Sequence, residues 1–132
     1  MATYDYQLNN PPDEKRAREL WIQHAAGFII FQDVRKYAID RIDETLDEKT
    51  KSKILEGIDN AIYGLMMLWD GVSGNLSNDK YSIRLETIIK LEEKANGKLV
   101  DEVTVTNGDG MCIGFHGWRE GDFGNDEIVN LS

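Results

Sequence analysis

The sequence predicts an α+β fold: a long antiparallel helical hairpin packed on a small, about three-stranded antiparallel β-meander. Three observations carry that expectation. Apolar residues recur at three- and four-residue steps through Thr45–Asp70, Tyr81–Leu91 alternates apolar with polar side chains save at Thr87 and Ile88, and Leu99–Thr106 is rich in β-branched residues with Leu99, Val103 and Val105 on one face. Only the short connection Ile42–Asp47 separates Thr45–Asp70 from the apolar run before it, and short helix–helix connections make antiparallel neighbours.

Thr45–Asp70 is the clearest helix. Ile54, Leu55, Ile58, Ala61, Ile62, Leu65, Met66 and Trp69 form one apolar stripe. Thr45 and Glu48 have capping-box spacing, and Gly71 can adopt the left-handed conformation that ends a helix. The preceding helix is expected from about Pro12 to about Asp43. Pro11 and Pro12 suit a first turn, and Asp13 and Glu14 complement the helix dipole. Leu20, Phe31, Val34, Ala38 and Ile42 share one side, while Phe28, Ile29 and Ile30 make the middle apolar nearly all round. Gly27 marks either a kink or a close helix contact, and a break near Ala25–Gly27 would give two shorter helices.

The meander is expected from Tyr81 onward. Tyr81, Ile83, Leu85, Ile89 and Leu91 read as a half-buried strand, with a helix over Leu85–Ala95 as the competing reading. Ala95-Asn96-Gly97 supplies a turn into Leu99–Thr106, and Asn107–Gly110 supplies a second. Met111, Ile113 and Phe115 alternate with Cys112, Gly114 and His116 as a third strand. The expected organisation is a single domain over residues 1–132. It comprises an irregular lead-in (1–11), the helical hairpin (12–71), the meander (80–118) and an acidic, glycine-rich tail (119–132).

Charge narrows the function classes. The net charge is −9, and residues 101–132 set seven acids against one base, Arg119, for −6 of it. Such a field repels nucleic acid and anionic membranes and attracts a basic partner or a cation, although acidity also serves solubility alone. No phosphate loop, dinucleotide fingerprint or basic aromatic stripe is present. One cysteine, Cys112, excludes an internal disulfide and suits a reducing compartment. The first residues lack a signal-peptide core, and the apolar runs fall short of the roughly 20 residues a membrane helix needs. A soluble, cytoplasmic protein is therefore expected.

The leading expectation is a small acidic protein-binding module, not an enzyme, of the inhibitor, antitoxin or immunity type. Asp109, Glu120, Asp122 and Asp126 would steer a basic partner, and Trp118 and Phe123 would anchor it. A second expectation is a small-ligand or catalytic pocket between sheet and helices, with Asp70, Cys112 and His116 as its polar groups. A third is a self-associating structural protein, a homodimer covering the apolar middle of the first helix. No cofactor is expected. One cysteine and the distant His24 and His116 lack zinc-ligand spacing. The acids Asp109, Glu120, Asp122, Asp126 and Glu127 lack EF-hand spacing, so a solvated acidic surface outweighs a calcium or magnesium site.

Overall fold

The computed structural model describes residues 2–72, 76–107, 110–122 and 128–131, and it mixes helices with small antiparallel sheets. Helix α1 (Lys15–Ile29) starts after Glu14, whose carboxylate accepts from the backbone N–H groups of Arg16 (3.0 Å) and Ala17 (2.6 Å). The helix does not break at Gly27. It widens into a π-helical segment, Ile30–Arg35, and returns to α geometry in α2 (Lys36–Ile39). The π segment directs two charged side chains to different neighbours. Asp33 accepts from the Thr3 backbone N–H (2.9 Å) and hydroxyl (2.8 Å), while Arg35 reaches Asp59 at 2.5 Å. Periodicity with a single step of 3.6 cannot register that insertion, because a π turn carries extra chain without changing residue type.

Helix α3 (Glu48–Trp69) begins three residues later than expected. Its cap is Asp47, which accepts from Thr50 N–H at 2.7 Å, and not the Thr45–Glu48 box. Thr45 instead bonds the Asp43 carboxylate through its N–H (2.9 Å) and hydroxyl (2.7 Å). An ionised acceptor outcompetes a hydroxyl for these orphan donors. Gly71 ends the helix at φ +81°, and the Val72 N–H closes on the Met67 carbonyl at 3.0 Å. Phe28 and Phe31 share a core with Met66 and Ile62, Arg35 meets Asp59, and Ile39 and Leu55 border one groove.

Among the described residues the strands form three separate two-stranded antiparallel sheets, not one meander. The lead-in is ordered: after a 3₁₀ turn (Ala2–Asp5), β1 (Tyr6–Leu8) pairs with β6 (Ile128–Asn130), tying one end of the chain to the other. Strand β2 (Leu76–Ser77) pairs with β3 (Ser82–Ile83). Strand β4 (Ile88–Glu92) pairs with β5 (Leu99–Thr104), with Ile89 opposite Val103 and a register shift at Leu91/Glu92. Tyr81–Leu91 is thus neither one strand nor a helix; residues 84–87 join β3 to β4 without a turn. Ile89, Leu91 and Val103 pack on Trp21 and Ile22 of α1.

The expected third strand is helical. Cys112–Gly114 is a 3₁₀ turn that runs into α4 (Phe115–Arg119). Met111, Phe115 and Trp118, spaced four and three apart, are buried, whereas Ile113 is 64% exposed. A strand would have put Met111, Ile113 and Phe115 on one face; the observed burial follows helical spacing because Trp118 belongs to the same stripe. Trp118 packs edge-on against Phe28 (6.1 Å between ring centres) and near Phe31 (5.8 Å). Its indole also lies against Gly27, where an added Cβ would sit 2.7 Å from the ring and 2.6 Å from the Met111 carbonyl. Gly27 is therefore a close-contact glycine.

Gly27→Ala is expected to destabilise the chain by about 1–3 kcal/mol through overpacking. Gly57→Ala, in α3 with nothing within 4 Å of the new Cβ, is expected to stabilise by about 1 kcal/mol. Denaturant midpoints of the two variants check the pair; equal shifts would contradict the packing at Gly27.

Candidate functional site

Asp70 stands just past the last residue of α3, and its carboxylate faces the 111–114 turn. It accepts from the backbone N–H of Met111 (2.6 Å) and of Cys112 (3.0 Å). This is helix capping delivered from a distant element, worth about 1 kcal/mol in typical cases. The Cys112 thiol also bonds Asp70. Burial first, then that bond and the carboxylate's charge, push the thiol up to about 11. Such a thiol stays protonated at neutral pH and is a poor nucleophile. His116 is exposed, its ring 5.5 Å from that of Tyr63. The structure brings Asp70 and Cys112 together and leaves His116 outside their hydrogen bonds among the described residues. The chemistry of the cluster is capping.

The expected partner-binding residues divide. Trp118 is 2% exposed and belongs to the core, so it is unavailable as a surface anchor. Glu120 and Asp122 are exposed just beyond α4. Asp109, Phe123 and Asp126 lie outside the described residues, as does Glu127. The apolar middle of the first helix is covered mainly by its own chain: Phe28 and Phe31 are buried, and Ile29 is the exposed member.

A site that the residue-by-residue reading missed lies at the helical turn. The end of α2, the loop after it and the first two turns of α3 enclose a groove of about 670 Å³. Ile39, Ile42 and Leu55 supply its apolar lining, and Asp40, Glu44 and Glu48 its carboxylates. Lys51 and Ser52 complete the wall. Lys51 approaches Glu48 at 3.6 Å and Lys36 approaches Asp40 at 3.1 Å, both as exposed pairs of small energetic weight. Two more carboxylates hold the turn together. The Thr45 hydroxyl, then its N–H, holds Asp43 below its usual carboxyl range, and the Thr50 N–H does the same for Asp47. Its signal was present as five acids within residues 40–48, Asp40, Asp43, Glu44, Asp47 and Glu48. Ile42 and Leu55 lie on the apolar stripes of their helices, yet each is only half-buried.

Asp59 is buried and charged, and two arginines hold it: Arg35 at 2.5 Å and Arg119 at 3.2 Å. The pairing joins the π segment, α3 and α4, so it reads as a structural tie. No described helix is long and apolar enough to cross a membrane. Comparison with family models, with curated proteins and with solved structures found no match to this chain.

Native Cys112 is expected to alkylate at pH 8 about 100-fold more slowly than in denaturant, the ratio set by the raised thiol pKa. Asp70→Asn should narrow the gap by removing the carboxylate that opposes the thiolate. Timed thiol titration checks both; equal native and denatured rates would contradict the assignment.

Proposed function

We propose that this chain is a small acidic, non-enzymatic protein-binding module of the inhibitor, antitoxin or immunity type, acting on a basic partner surface. The observation that carries the reading is the groove at the helical turn. Apolar Ile39, Ile42 and Leu55 lie beside Asp40, Glu44 and Glu48, in a chain whose net charge is −9. Burying the apolar residues supplies affinity, and the flanking carboxylates select a partner with lysine or arginine around its contact. Glu120 and Asp122 add to the same long-range field and steer the approach. The reading gives no role to nucleic acid or membrane, and it places the protein in the cytoplasm, where a lone cysteine stays reduced.

The test is capture from the source cell extract at low and raised salt, run side by side for the wild-type chain and Asp40→Lys/Glu44→Lys/Glu48→Lys. A stoichiometric basic protein, released by salt from the wild type and not retained by the triple variant, is the expected result. The loss should be at least about tenfold, since several rim charges reverse together. A partner held equally by both chains would move the contact elsewhere, and retention of no basic protein by the wild type would overturn the reading.

A further inference from the structure

The chain from Tyr81 to Glu86 is exposed at every position. Ile83 is 68% and Leu85 58% exposed, though both alternate with polar residues as in a buried strand. Strand β3 pairs only with β2 among the described residues, so its other edge has no neighbouring strand there. Residues 84–87 continue β3 without a turn or bend. The Arg84 guanidinium meets the Glu86 carboxylate at 2.5 Å, and both side chains are at least one-third exposed. Side chains two apart meet in this way when they share one face of an extended chain. Edge strands are commonly blunted by proline or interrupted by a glycine bulge, and Leu76–Leu91 contains neither residue.

We propose that a second copy of this chain docks here, its own residues 83–87 adding antiparallel to the open edge across a two-fold axis at Leu85. The occupant follows from charge. Arg84 and Glu86 flank Leu85, share a face and carry opposite signs. Antiparallel self-pairing centred on Leu85 sets each Arg84 opposite the other copy's Glu86, and each Ile83 opposite the other copy's Thr87. Leu85 meets itself on the apolar face. The Arg84–Glu86 ion pair is then made twice across the axis, as an isologous interface requires. The segment Asp79–Glu86 carries Asp79, Lys80, Arg84 and Glu86, two of each sign, so the meeting strands add no local repulsion to that between two −9 chains. A basic partner would find no net field at this strand, which is why the copy is the better fit. The pairing is strand addition, and its short length makes the dimer weak and concentration-dependent. It does not rest on the partner-binding reading: the strand follows the C-terminal end of α3, whereas the groove lies at its N-terminal end.

Sedimentation equilibrium on the full chain tests this against four variants, with circular dichroism confirming that each exposed substitution leaves the fold intact. The wild type is expected to dimerise reversibly in the micromolar range. Leu85→Lys, which sets two cations on the axis, should leave only monomer. Arg84→Glu, which sets glutamate against glutamate twice, should weaken the dimer about tenfold or more. The exchange Arg84→Glu/Glu86→Arg should restore it. The groove variant Asp40→Lys/Glu44→Lys/Glu48→Lys should dimerise like the wild type, so failure of either proposal leaves the other readable. A wild-type chain still monomeric at about 1 mM would overturn the dimer. So would a dimer indifferent to Leu85→Lys, or a charge exchange that fails to recover what Arg84→Glu lost.

Discussion

The seat of Trp118 is the contact on which the rest of the packing depends. The indole lies against Gly27 of α1, near Phe28 and Phe31, with the His24 ring 4.9 Å away. It can approach only because Gly27 and Gly114 present no side chain where it lies. Seating one large aromatic against helix backbone brings in Phe115 of the same short helix, which closes the core with Met66 and Phe31, and Met111 is buried just ahead of it. Burial of an aromatic this size is among the larger apolar contributions one side chain makes.

Polar groups then fix the position of that stretch. Asp70 at the end of α3 caps the turn before α4, Arg119 at the end of α4 reaches Asp59 of α3, and the Gly110 N–H donates to buried Gln23 of α1 at 2.7 Å. Each joins a short element to a long helix through groups that would be costly to bury alone. The buried carboxylates and amide are accounted for by architecture, leaving the candidate chemistry at the surface, in the groove of the helical turn and along the open edge of β3. At both places apolar side chains remain partly or wholly exposed beside charged ones.

Much of the helical content was legible in the sequence. The stripe through Ile58, Ile62 and Met66 has one period and one dominant partner, so local pattern and global packing agree. Gly71 marked the true end of α3, and the Asn96-Gly97 turn joins β4 to β5. The missed features turned on competition between contacts. Asp47 displaced the Thr45–Glu48 box because a carboxylate was available two residues further along. The run 111–118 fits both a period of two and a period of 3.6 until Trp118 is known to be inside. The acids of residues 40–48 signalled the groove, but its apolar lining was hidden because Ile42 and Leu55 fit a stripe equally well whether they are fully or half covered.

The sequence by itself determined the class of the fold, the two main helical runs, the β4–β5 hairpin and the acidic field. All of these follow from local periodicity, turn chemistry and charge, which act over a few residues or by simple summation. Only the tertiary structure decided that Trp118 is core and not an anchor, that Asp70 and Cys112 form a cap and not a reactive pair, and that three small sheets replace one meander. It also decided which apolar residues stay partly uncovered. Those outcomes depend on contacts between residues tens of positions apart, such as Trp118 with Gly27 and Met111 with Asp70. No local pattern encodes which of several available partners a side chain meets once the chain has folded back on itself.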